Sequence, residues 1–163
     1  MSLDSAGFRK VIGNFATGVT VVTTDVDGLL HGLTANAVSS VSLEPLLVLV
    51  CVDKGAVSHT QMESASHFGI SILAEGQEEV SNTFARTAPP AHAEAGMLRG
   101  VRVRRAGCGV PLIEGALGWL ACEKHGLVDA GDHTIFLGRV VEGGVEHHAA
   151  PLLYFRGGYR LLD

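Results

Sequence analysis

Cysteine is scarce in this chain. Three residues in 163, at positions 51, 108 and 122, are odd in number and far apart, which excludes a disulfide framework. Charge is also sparse, at 18%, and the excess is acidic: 17 Asp and Glu against 12 Lys and Arg give a net charge of -5. The one basic run, Arg99, Arg102, Arg104 and Arg105, is too short for a duplex-binding face, because phosphate neutralisation dominates nucleic-acid affinity. Long hydrophobic runs are missing too. The longest, Leu46 to Val52, has the length of a buried strand and falls far short of a bilayer span. The opening "MSLDSAGFRKVIGNF" has no charged start, apolar centre and small-residue cleavage site. A cytoplasmic protein with neither a nucleic-acid nor a membrane partner is expected.

What is present suits a packed globule. Hydrophobic residues make up 47% of the chain, and a domain of this length can bury roughly 70% of the surface its unfolded chain exposes. A single domain over residues 1–163 is expected, with no metal needed to hold it.

Phe8, Val11, Ile12 and Phe15 recur at i, i+3, i+4 and i+7, which predicts an opening helix with one apolar face, ended by Gly18. "VTVVTT" and "LLHGLTA" are runs separated by "DVDG", the pattern of a hairpin. "LLVLVCV" reads as a strand buried on both faces. Ser58 to Ser64 and Gln77 to Phe84 read as short helices around the strand "FGISIL". "TAPPAHAEAG" has both Pro and Gly and no apolar period, so it reads as an exposed excursion. Strand patterns return at "GVRVRRA", "GALGWLACEKH", "HTIFLGRVV" and "PLLYFRGGYR". Many strands with few helices predict a mainly β, antiparallel barrel or sandwich.

Several chemistries fail on spacing. "GCGVPL" has Leu112 in the third glycine position of a dinucleotide fingerprint, and Pro111 interrupts it. Cys122 and His125 form a lone Cys-x-x-His, and residues three apart on a strand point to opposite faces, so no metal site is expected.

What remains is close backbone approach. Thr34, Ala35, Asn36, Ser39 and Ser40 in "GLTANAVSSVSLEP" are small, with short donors and acceptors that let a flat ligand with polar edges lie near the main chain. "CVDKGAVSHT", Cys51 to Thr60, runs from a strand end into a helix start. There, exposed N–H groups, the Ser58 or Thr60 hydroxyl and Lys54 make an anion site, with Arg86 a second positive charge. The plainer alternative is that these hydroxyls serve sheet edges and a helix cap. The physics alone does not name the ligand.

The ordered segments "FATGVTVVTT", "GLTANAVSSVSLEPLLVLVCVDK", "FGISILAEGQEEVSNTFAR", "PLIEGALGWLACE", "DAGDHTIFLGRVV" and "PLLYFRGGYR" resemble the small flavin reductases that supply reduced flavin to two-component flavin monooxygenases. The likeness runs from about Phe8 to Arg160. It implies a six-stranded antiparallel Greek-key split barrel with short peripheral helices, a homodimer, and hydride transfer from NADH or NADPH to FMN or FAD, with a flavin-dependent monooxygenase as partner. By position it implies that Thr34, Ala35, Asn36, Ser39 and Ser40 line the flavin. Cys51, Val52, Asp53, Lys54 and Ala56 would form a second flavin-binding segment and Ser58 a phosphate-side hydroxyl. Phe84 and Arg86 would lie beside the cofactor tail, and His133 would be the catalytic-site histidine near the nicotinamide. Tyr154, Tyr159 and the 87–107 segment are candidates for the nicotinamide side. The chain departs from the family pattern at Ala56, where many relatives have Ser, and at Thr87, where many have Lys or Arg. Phosphate holding must then lean on backbone N–H groups, Ser58 and Arg86, or be weaker, which suits a flavin that is released as a substrate. Two other readings of such a barrel are a non-enzymatic flavin carrier or sensor and a pyridoxamine-phosphate oxidase-like or haem-binding relative.

Overall fold

In the computed structural model, which describes residues 2–163, a short helix α1 (Ser5–Ile12) leads into β1 (Thr17–Gly18), β2 (Thr20–Val26), β3 (Leu29–Ala35), β4 (Val38–Leu43) and β5 (Leu46–Asp53). After α2 (Val57–Ser64), β6 (His67–Ile72) and α3 (Glu78–Ala85), the excursion returns through β7 (Met97–Leu98), β8 (Val101–Arg105) and β9 (Pro111–Ile113). Two long strands follow, β10 (Gly118–Ala130) and β11 (His133–Val145), then the hairpin β12 (Leu153–Phe155) and β13 (Gly158–Arg160).

The main sheet holds seven strands in the order β3-β2-β6-β10-β11-β5-β4, one more than the six expected, and every pair in it is antiparallel. Its end strands β3 and β4 are not paired with each other, yet only Asn36 and Ala37 separate them in sequence. Three virtual bonds reach about 11 Å at most, so the two edges must lie close. The sheet therefore curls into a barrel that is open along one seam. Register shifts in β10 against β11, between Ala121 and Cys122 and between Lys124 and Gly126, supply the bends that curling needs.

The core follows from that curl. Val22, Ala35, Val50, Phe68, Cys122 and Phe136, from six strands, meet in one buried cluster, which a flat sheet could not bring together. Met62 of α2 joins it, so that helix packs against the barrel core. Burial, and second the neighbouring Cys108, pushes the Cys122 thiol up to about 12, so this sulfur is an apolar filler. Outside the barrel α3 lays Phe84 against β3, where Gly32 leaves room: a Cβ there would stand 2.5 Å from Phe84 Cδ1. The β2–β3 hairpin turns through Asp27 and Gly28, both at positive φ, as its "DVDG" predicts.

Two expectations are corrected. The opening helix ends at Ile12 with Gly13 as its cap, so Phe15 lies beyond it and Gly18 is already in β1. Its apolar face covers nothing: Phe8, Val11, Ile12 and Phe15 are 52 to 71% exposed. Strand β5 alternates instead of being buried on both faces; Val48, Val50 and Val52 point inward, while Leu47, Leu49 and Cys51 remain half-buried, the last two on the wall of a surface cleft.

Candidate functional site

The seam of the barrel is where the predicted residues gather. The β3–β4 link carries Thr34 to Ser39 past the end of β5, with Cys51 N–H donating to Ala37 O at 3.0 Å. The register of β11 on β5 sets His133 opposite Asp53. A cleft of about 200 Å³ is thus lined by Thr34, Ala35, Asn36, Cys51, Asp53 and His133, with Ala56 at its wall. Asn36 also lines two larger clefts, of about 430 and 670 Å³, so the three adjoin along one groove at this residue.

Each wall has a physical reason. Thr34 Oγ1 donates to Ser81 O at 2.6 Å, tying β3 to α3. Ala35 and Val52 put their side chains into the barrel core and offer the groove only their backbone. Asn36 is exposed, and Ser39 lines the largest cleft while its hydroxyl donates to Ser40 O at 3.0 Å. His133 is held by Asp132, whose Oδ1 lies 2.8 Å from Nδ1. That histidine contact holds the Asp132 carboxyl below the usual carboxylate range, first by its hydrogen bond and second by charge. With Asp132 ionised the bond is made by Nδ1–H, which leaves Nε2 free of that contact.

Five assigned residues stand elsewhere. Ser40 lies on β4 and borders none of the three clefts. Phe84 is a core side chain, 2% exposed, and meets the groove only through the backbone it supports. Ser58 is buried with its hydroxyl 2.7 Å from His31 Nε2. Arg86 is exposed at the end of α3, its carbonyl accepting from Arg99 at 3.2 Å. Lys54 turns its ammonium to Asp129 and to Gly131 O, the latter at 2.8 Å, and its N–H donates to Asp132 O at 2.9 Å. It clamps the turn that carries His133.

The expected anion site at the start of α2 is also altered. Asp53 accepts from Gly55 N–H with its carboxylate at 2.7 Å and from Ala56 N–H with its carbonyl at 3.1 Å. An internal carboxylate thus stands beside the place assigned to a phosphate.

The outer wall of the groove includes the candidates Tyr154 and Tyr159, and beside them residues of α3 that the sequence does not single out. Ser81, Asn82 and Ala85 of α3 and Tyr154, Gly157 and Tyr159 of the C-terminal hairpin line the 430 Å³ cleft. Tyr159 Oη lies 2.7 Å from Ser81 Oγ and donates to Asn82 Oδ1 at 3.0 Å, which locks the hairpin to α3. The spacing of Ser81 and Asn82 on one short helix carries no signal of its own. Thr17 Oγ1, on the wall of the 670 Å³ cleft, is buried without a hydrogen-bond partner.

The flavin reductase like domain matches residues 12–163. A NADH-dependent flavin reductase of Rhodococcus is 44% identical over 158 residues, covering 95% of this chain and 85% of that protein. The reductase component of a flavin-dependent trigonelline monooxygenase from Acinetobacter baylyi is 43% identical, over 93% of this chain and 47% of that protein. The chain spans about half the length of two of the curated relatives it matches. Among solved structures, the NADH:FAD oxidoreductase SgcE6 of Streptomyces globisporus, in complex with NAD and FAD fragments, superposes with a TM-score of 0.87 at 36% identity, covering 100% of this chain and 97% of that one. An open seven-stranded barrel with its groove at the seam, matched over nearly its whole length, places this chain in the flavin reductase like family.

Proposed function

We propose that the protein is an NAD(P)H-dependent flavin reductase, moving a hydride from reduced nicotinamide to FMN or FAD and releasing the reduced flavin to a flavin-dependent monooxygenase. The observation that carries this is the meeting of the β3–β4 link, the end of β5 and His133 in one cleft that opens into two larger ones. The donor set fits a flavin: small side chains allow close approach of a flat ring, and Thr34, Asn36 and Ser39 offer polar contacts at its edges. A bound flavin would supply the hydride-accepting ring, so the chain has no strong base to provide.

What this chain does is hold and orient. Thr34, Ala35, Asn36, Cys51, Val52 and Asp53 form the floor, and His133 Nε2 accepts from the carboxamide of the nicotinamide, aligning the donor carbon. The tyrosine hairpin closes the far side against water. Ser58, Lys54, Ser40 and Phe84 support this arrangement from behind, and Arg86 remains the exposed cation available to a flavin phosphate.

The named activities of relatives favour turnover over a non-enzymatic carrier, with NADH as donor and FAD among the acceptors. Relatives that are reductase components of monooxygenases support the partner. No helix among the described residues is long and apolar enough to cross a membrane, and a need for reduced pyridine nucleotide supports a cytoplasmic setting. The exposed Phe8 and Val11 of α1, which border none of the three clefts, support a homodimer.

The test is anaerobic oxidation of NADH and NADPH, each with FMN, FAD and riboflavin. Turnover with NADH and at least one flavin is expected. A yellow protein that retains flavin and oxidises neither donor would overturn the reading in favour of a carrier.

A further inference from the structure

The outer end of the groove is cationic. A pocket of about 370 Å³ is lined by Arg9, Lys10, Gly13, Asn14, Arg156 and Gly157, and no carboxylate borders it. Three of the chain's 12 Lys and Arg residues meet there, in a protein of net charge -5. Lys54, Arg104, Arg105 and Arg139 each pair with an acid. Arg9, Lys10 and Arg156 do not, among the described residues.

Arg9 and Lys10 have a second explanation, since basic side chains in the last turn of α1 also complement the negative end of its dipole. Arg156 does not. It comes from the other end of the chain, in the β12–β13 turn, and adopts φ +49°, a left-handed conformation that disfavours any residue with a Cβ. Its N–H donates to Gly13 O at 3.0 Å and its Nε to Asn14 Oδ1 at 2.8 Å, and its guanidinium sits 4.8 Å from the Phe155 ring centre. Asn14 is itself anchored, donating to Lys10 O at 2.7 Å. These contacts fix the guanidinium while engaging only its Nε, so the terminal Nη groups stay available for a bidentate acceptor such as a phosphate.

The pocket shares Arg9, Gly13, Arg156 and Gly157 with the 670 Å³ cleft, which reaches Asn36 and Cys51 in the His133 cleft. We propose that Arg9, Lys10 and Arg156 form a binding corner for the phosphate groups of a dinucleotide whose ring end lies in the His133 cleft. The proposal rests on the reductase reading for the identity of that ring. A reduced pyridine dinucleotide and FAD share the diphosphate chemistry, and the corner is distinct from Arg86, which stands at the end of α3.

The test compares the wild type with an Arg9→Gln, Lys10→Gln, Arg156→Asn variant, Asn being the side chain best suited after Gly to the left-handed position. Circular dichroism checks that both are folded. Removing three charges that contact phosphate should raise the Michaelis constant for NADH about tenfold or more with little change in kcat, while a phosphate-free reduced N-benzylnicotinamide is unaffected. That result assigns the corner to the pyridine nucleotide. Weaker FAD binding with unchanged riboflavin binding assigns it to the flavin instead, and either outcome supports a phosphate site. Equal behaviour of wild type and variant towards all four molecules, or an equal loss for all four, overturns it. Should the wild type turn over no flavin at all, the reductase reading fails by itself. Inorganic pyrophosphate binding by calorimetry then still decides the corner, about tenfold weaker in the variant if the proposal holds and equal in both if it does not.

Discussion

Two side chains with opposite fates show what a residue's neighbours decide. His133 was named as the nicotinamide histidine, and the structure sets it in the cleft with Asp132 fixing its ring. His133→Ala is expected to raise the Michaelis constant for NADH or slow flavin reduction several-fold, of the order of one lost hydrogen bond, with flavin affinity almost unchanged. Stopped-flow reduction at fixed flavin measures this, and unchanged rates at all NADH concentrations would remove His133 from the site. Lys54 was named as a flavin contact, and its ammonium is instead taken up by Asp129 and Gly131 O. The Lys54 ammonium beside Asp129 holds that carboxyl below the usual range, through their hydrogen bond first. Lys54→Ala should loosen the turn that bears His133 and raise the NADH Michaelis constant roughly two- to fivefold, as expected for an exposed pair. The charge-swapped double variant Lys54→Asp, Asp129→Lys should recover part of the loss, and high salt should move the wild type towards the variant. Were Lys54 a phosphate ligand, FMN binding would fall while riboflavin binding held.

At the scale of elements, period and turn chemistry carried most of the fold. The β2–β3 hairpin, both inner helices and the excursion lie where hydrophobic spacing and the Gly, Asp and Pro positions put them, because those patterns depend on near neighbours along the chain. Helix α1 shows the limit. Its apolar spacing is genuine, but nothing in the spacing says whether the same chain covers that face, and among the described residues it stays exposed. The homodimer proposal assigns that surface to a second copy. Phe8→Ser with Val11→Asp is expected to shift the protein to a monomer in light scattering, with an unfolding midpoint for the monomer little changed, since both side chains are already exposed. A variant that stays dimeric would show that α1 lies outside the interface. The alternation of β5 makes the same point: "LLVLVCV" is apolar throughout, yet every second residue of it is only half-buried.

For the whole molecule, buried polar groups set the pH response. His31 lies buried at the end of the barrel against Ser58, and burial, then Arg99, lowers its affinity for a proton below the usual imidazole value of 6.5. The folded state thus binds the proton more weakly than the unfolded chain. The stability is intact above pH 6.5 and falls as pH drops below it. Thermal unfolding from pH 7.5 to 5 should therefore show a declining midpoint that flattens in His31→Gln, and an equal slope in both proteins would place the acid sensitivity elsewhere. What the sequence by itself determined is the two inner helices and most of the longer strands, the class of the fold and the two segments of small residues at the groove, since these follow from local periodicity, turn residues and an ordered series of segments. The strand β4 inside the first of those segments left no such pattern. Only the tertiary structure decided that Asp53 and His133 face each other, that α3 and the C-terminal tyrosines wall the groove, and that Lys54 and Ser58 are turned away from it. The reason is register and curl. A contact between residues 80 positions apart depends on how each strand pairs and how far the sheet bends, and neither leaves a mark on the residues near it in the chain.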